Sequence, residues 1–208
     1  MNSGISEYIN ETIGVLNRLK RNQDLLRLIQ AVSGICTQAL RCDRKILFFG
    51  NGGSAADSQH LAAEMVSRFS FDRPGLPAFA LTTDTSVLTA IGNDYGFDKI
   101  FSRQIDSVGN EGDVVFGFST SGKSMNVVEG LEHAKRKGLV TVGMTGGHED
   151  TLISKVVDYC IAIPSTNTSN IQEGHILVGH LICKIIEENM FKPSLSPDSK
   201  EIRTAVTS

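Results

Sequence analysis

His60 and Glu64 lie four residues apart in "GNGGSAADSQHLAAE" (residues 50–64), a spacing that brings both side chains onto one helical face. An imidazole beside a carboxylate can move a proton or share a metal ion. The surrounding Leu61, Ala62, Ala63, Met65 and Val66 read as a partly buried helix, where charged groups need partners or a function. Arg68 continues the same face one turn later. Directly before the helix, an apolar run stops at a glycine turn, a geometry that suits an anion. A second group sits in "NIQEGHILVGHLI" (170–182): Gln172, with His175 three residues on and His180 eight residues on. Helical spacing does not choose between the two histidines, although His175 aligns marginally better with Gln172. His133 and His148 have no such company and read as surface residues.

Positioning these groups requires a scaffold, and the apolar pattern describes one. Ile9, Ile13 and Leu16 form one helical stripe; Leu25, Leu28, Ile29, Val32, Ile35 and Cys36 form another. Short apolar runs follow in "RKILFFG", "PAFALTT", "DVVFGFS", "LVTVGMTG" and "DYCIAIP", with helix-like segments between them. Nearly unbroken apolar strands are covered on both faces, as in a parallel sheet. Five of them imply an α/β fold with a doubly wound, five-stranded parallel sheet sandwiched by helices. A last helix is expected over roughly Asn170 to Phe191, and the polar 192–208 tail is expected to be poorly ordered. Ligands of such sheets collect at the carboxyl ends of the strands. That rim receives "GNGGS", "STSGKS" and "TGG". Ser54 and Ser121 are expected to cap the helices that start there, and their hydroxyls with the free helix amides suit a phosphate.

The chain has 208 residues and a net charge of −3. The length suggests one domain with one good core. The charge gives no reason to expect nucleic acid or an anionic membrane surface as partner. No apolar stretch approaches a membrane span, and the N-terminus does not read as a signal peptide. Four cysteines without C-x-x-C spacing favour buried, reduced thiols and a cytoplasmic address.

"GFSTSGKS" (117–124) matches the P-loop pattern literally. Gly117, however, falls inside an apolar strand run, no later strand ends in a magnesium-holding acid, and the first glycine loop would have no role. Lys123 then reads as a solvated residue at a helix start.

Taken together, "GNGGSAADSQHLAAE", "GNDYGF", "GDVVFGFSTSGKSMNVVE" and "NIQEGHILVGH" resemble the phosphoheptose isomerases of the sugar-isomerase (SIS) superfamily. The resemblance covers 1–191 as one SIS domain, with residues 1–42 as helices packed between subunits. It implies a homotetramer that interconverts sedoheptulose 7-phosphate and D-glycero-D-manno-heptose 7-phosphate, supplying activated heptose for lipopolysaccharide or other glycans. It places substrate contacts on Asn51, Gly52, Gly53, Ser54, Asn93, Asp94, Ser119, Thr120, Ser121, Ser124 and Gln172. It places a zinc site on His60, Glu64, Gln172 and His180, with Glu64 as the base and His180 as the partner acid, which selects His180 over His175. One departure is Asn170, where the family often carries arginine.

Two rivals follow from the same resemblance. Some close relatives keep the fold as non-catalytic scaffolds of the replication initiator, but they lack the acid–base pair that Glu64 and His180 supply here. An isomerase of a five- or six-carbon sugar phosphate would carry the same motifs, since loop shape sets sugar length.

Overall fold

The computed structural model describes residues 3–192, so the expectation for the tail beyond Lys192 lies outside the described residues. Two helices, α1 (Ser3–Arg21) and α2 (Gln23–Arg41), precede an alternation of strands and helices: β1 (Ile46–Gly50), α3 (Gly53–Val66), β2 (Ala78–Ala80), α4 (Thr85–Tyr95), a 3₁₀ turn (Phe97–Lys99), α5 (Ser102–Val108), β3 (Val114–Phe118), α6 (Met125–Arg136), β4 (Val140–Gly146), α7 (Leu152–Val156), β5 (Tyr159–Ile163) and α8 (Thr168–Phe191). The five strands are all parallel, in the order β2-β1-β3-β4-β5. This is the doubly wound sheet that the apolar runs predict.

Alternation along each strand divides the core in two. Ile46 and Phe48 of β1, with Val114, Phe116 and Phe118 of β3, face α2, α3 and α8. Leu47, Phe49 and Val115 face α5 and α6. Every residue of β1 and β3 is buried, and each large apolar side chain so buried contributes ~1.5–3 kcal/mol. The edge strand β2 is shorter than "PAFALTT" suggests, and Phe79 at its centre is exposed. The four cysteines are free; Cys36 and Cys183 are buried, and burial pushes both thiol pKa values up.

The first helix corrects the sequence reading. Val15 and Leu19 enter the core, whereas Ile9 and Ile13 of the expected stripe are exposed, together with Ile5 and Tyr8. Among the described residues nothing covers Ile9 and Ile13. The departure at Asn170 is also accounted for: the side chain is buried, and Thr12 Oγ1 donates to its Oδ1 at 3.2 Å. A shorter amide here ties α8 to α1.

Candidate active site

The strand order reverses direction between β1 and β3, the place where an open α/β sheet forms its crevice. The turns after these two strands are 50–53 and 119–124. They are joined by a reciprocal amide pair: Asn51 Nδ2 donates to Asn126 Oδ1 at 2.8 Å, and Asn126 Nδ2 donates to Asn51 Oδ1 at 2.9 Å. Asn126 is buried and was not singled out by its sequence context, because only the fold brings it opposite Asn51.

Helix caps distinguish the two helix starts beside this crevice from α2, α4, α7 and α8. Side chains of Asn22, Asp84, Thr151 and Asn167 accept backbone N–H groups at the starts of α2, α4, α7 and α8. At α3 and α6 the cap positions are Gly52 and Ser124, and neither makes a side-chain cap bond. The short α5 also lacks one, but it follows directly on the 3₁₀ turn. Ser54 and Ser121 are therefore not the caps that the sequence suggests. Ser54 lies one residue inside α3 and is buried; Ser121 instead accepts from Lys123 N at 3.3 Å. The uncapped amides of α3 and α6 carry the positive ends of their helix dipoles. Beside them, Ser119 Oγ lies 2.9 Å from Ser124 Oγ and 3.4 Å from Ser121 Oγ. Four oxygen-bearing side chains, counting Thr120, thus sit with two helix N-termini, a good fit to a phosphate dianion. Gly117 is within β3, as expected, so the P-loop match has the wrong backbone. A hollow of about 170 Å³ opens beside Asn51 and Gly52, walled by Leu88, Phe97 and Phe101.

The titratable group lies along the seam between α3 and α8. Gly179 lets the helices meet, since a Cβ there would sit 2.5 Å from Leu61 Cδ2. The neighbours of these two contact residues, His60 and His180, then face each other with Nε2 atoms 2.9 Å apart. His60 Nε2 is also 3.2 Å from Glu64 Oε1. His175 goes elsewhere: it is buried, its Nε2 lies 3.2 Å from Thr145 O, and burial pushes its pKa down to about 4. Of the two candidate histidines, His180 is the one beside His60.

His60, Glu64 and His180 each present one ligand atom, all within 4.8 Å of one another. Bonds of ~2.0–2.1 Å at tetrahedral angles set neighbouring zinc ligands roughly 3.3 Å apart, so this N, N, O set fits one ion with an open position. Gln172 meets α3 at its first turn. Its amide packs over Gly53, where an added Cβ would lie 2.4 Å from Nε2, and Gly53 is seven residues, or about 10 Å of helix, from His60. Asn93 and Asp94 are exposed at the end of α4, with Asn93 Nδ2 donating to Asp94 Oδ1 at 2.7 Å. Arg68 falls beyond the end of α3 and is exposed.

Three further residues near the trio escaped the sequence reading. Asp57 is one turn before His60; its Oδ2 is buried without a partner, and burial raises its pKa to about 6 against the opposing pull of His60. Its i, i+3 spacing to His60 was a usable signal. Arg73 and Glu187, 114 positions apart, form a buried ion pair below Glu64, which no local pattern announces.

Comparison with known proteins identifies the family. The SIS domain family model matches residues 7–146. A phosphoheptose isomerase from Aneurinibacillus thermoaerophilus is 50% identical over 192 residues, covering 92% of this chain and 96% of that protein. Another, from Burkholderia pseudomallei, is 49% identical and covers 90% and 94%. Among solved structures, the phosphoheptose isomerase GmhA of Neisseria gonorrhoeae superposes with a TM-score of 0.83 at 39% identity, covering 90% of this chain and 98% of that one.

Proposed function

Since the chain belongs to the phosphoheptose isomerases of the SIS-domain family, we propose that its seam of His60, Glu64 and His180 interconverts sedoheptulose 7-phosphate and D-glycero-D-manno-heptose 7-phosphate through an enediol. As a member of that family it is a phosphosugar isomerase. The observation that carries the mechanism is the meeting of Glu64 and His180 across His60, on the helix whose uncapped N-terminus opens at the crevice.

The phosphate is held by Ser119, Thr120, Ser121 and Ser124 with the first amides of α6. Asn51, Gly52, Gly53, Ser54 and Gln172 line the turn at α3 and bind sugar oxygens, with Asn93 and Asp94 contributing from α4. Binding the phosphate far from the reacting carbons fixes C1 and C2 against Glu64. Glu64 Oε1 faces His60, which leaves Oε2 for carbon. In the ketose-to-aldose direction Oε2 takes a proton from C1, the C1–C2 enediol forms, and the proton returns to C2. His180 gives a proton to the C2 oxygen as the enediol forms and takes one back from O1 as it collapses to the aldehyde. His60, Glu64 and His180 would hold zinc, which when bound supplies a Lewis acid for the charge that develops on a sugar oxygen.

The assembly we propose is a cytoplasmic homotetramer. The uncovered apolar face of α1, where Ile5, Ile9 and Ile13 are exposed, supports burial between subunits. No helix among the described residues is long and apolar enough to cross a membrane. The product would enter activated-heptose synthesis for glycans such as lipopolysaccharide.

A coupled assay across five-, six- and seven-carbon ketose phosphates tests the substrate. Turnover should be greatest with the seven-carbon sugar. Preference for a shorter one would replace the heptose assignment, and turnover of none would favour the scaffold reading.

A further inference from the structure

We infer that Arg73 and Glu187 are a positioning pair that sets the geometry between Glu64 and His180, an inference that rests on the isomerase reading of those two residues. Glu187 stands seven residues after His180 on α8 and is fully buried. Its carboxylate accepts the backbone N–H of Phe69 at 2.9 Å and of Ser70 at 2.7 Å, and Arg73 Nε donates to it at 3.1 Å. The rest of the guanidinium closes the end of α3. Arg73 Nη2 donates to Glu64 O at 2.8 Å, and Nη1 donates to Met65 O at 2.7 Å and Ser67 O at 3.2 Å. No basic residue lies in the last turn of α3, so the cation that a helix C-terminus favours comes from the following loop.

Both proton-handling residues are thereby gripped. Glu64 is held directly, through its own carbonyl. His180 is held through Phe69, whose ring lies 5.5 Å from the imidazole and whose backbone N–H is fixed by Glu187. Stability is a weak reason for such a pair, because apolar side chains of similar volume commonly stabilise as well as a buried ion pair or better. A guanidinium, by contrast, directs its donors along fixed lines. It can orient three carbonyls and a carboxylate at once, as a lysine cannot. With side chains 2% and 0% exposed, Arg73 and Glu187 present no surface to a bound sugar.

The test uses the full-length enzyme and counts folded sites. Arg73→Lys keeps the charge and loses the fork. Its kcat should fall about 10–100-fold, the usual consequence of loosening the support of a reacting group, while KM for sedoheptulose 7-phosphate stays near the wild-type value. The His180 ring protons, shifted by the Phe69 ring, should move in the NMR spectrum. Phe69→Leu leaves the ion pair and removes the ring, and should lower kcat several-fold with KM again unchanged; it decides the matter if Arg73→Lys does not fold. Glu64→Gln is the control. Should Glu64→Gln keep full turnover, the isomerase reading of the seam is what fails. With Glu64→Gln inactive, an unchanged kcat in the folded variants overturns the positioning role. So does a rise in KM that matches or exceeds the fall in kcat, the mark of general loosening.

Discussion

The two ends of α3 are finished in opposite ways. Its N-terminus begins on Gly52, carries no side-chain cap, and sits beside exposed Gly53 at the strand rim. Its C-terminus is closed by Arg73, which binds carbonyls of its last turn and is itself locked by Glu187. One end has donors to spare; the other has its acceptors satisfied. A helix end can stay open where a ligand completes it. It must be closed where a side chain one turn away has to hold its place. Glu64 belongs to the closed end, and the sugar oxygens we propose to bind at Asn51 to Ser54 belong to the open one.

The largest expected effect strikes the closed end. Glu64→Gln should cost turnover about 10²–10⁴-fold, the range for a general base, and leave calorimetric binding of inorganic phosphate intact. Loss of both together would mean that the two ends do not work independently. His180→Asn should come next, with turnover down about 10²-fold, the lower part of the same range. His175→Asn should instead lower the melting temperature with little effect on turnover, because that imidazole is buried against Thr145 O. A reversed outcome would move the acid to His175.

Smaller effects belong to the second uncapped helix start, at α6. Ser119→Ala or Ser124→Ala should raise KM about 10-fold, the equivalent of ~1.5 kcal/mol for a hydrogen bond to a charged group, with less change in kcat. Lys123→Ala should stay near wild type, and ATP should not bind in titration calorimetry. Tight magnesium-dependent ATP binding would restore the P-loop meaning of "GFSTSGKS".

The smallest effect separates two carboxylates by pH. Burial raises Asp57 from 3.8 to about 6 when the chain folds. The folded state therefore holds an extra proton between those values, and wild type loses stability as pH rises through that window. Asp57→Asn should melt higher than wild type at pH 7, with the gain gone below pH 3.8. Glu187 runs the other way. Burial alone would raise its carboxyl, but the Phe69 and Ser70 amides and Arg73 outweigh burial and hold it below 4.5. Its contribution is present above that value and is lost as pH falls below it. Glu187→Gln should melt lower at pH 7, and the difference should shrink under acid. Melting curves across pH check both signs.

The open end was legible in the sequence because its signals are local: an apolar run, a glycine turn and a helix follow one another within twenty residues. The five strands were legible for the same reason. Capping was misread, since Ser54 has the right chemistry two positions too late, and the chain places Gly52 at the cap instead. The closed end was hidden. Glu187 sits in "KIIEENM", where it reads as a solvent-facing acid, and Arg73 lies beyond the helix that Arg68 was expected to extend. Only the packing of α8 against α3 reveals them. That packing also sets His180 beside His60 and His175 away from it, where helical spacing made no choice and marginally favoured His175.

Deuterium tests the account most directly. If Glu64 carries the proton between C1 and C2, that proton rests on a carboxylate that exchanges with solvent. Isomerising sedoheptulose 7-phosphate in deuterium oxide should place deuterium at C2 of the aldose product, in full or in part according to how fast the carboxylate exchanges. A shift of hydride directly between the carbons would leave C2 free of label. Absence of deuterium over many turnovers, with Glu64→Gln still active, would contradict the assignment of Glu64 as the base.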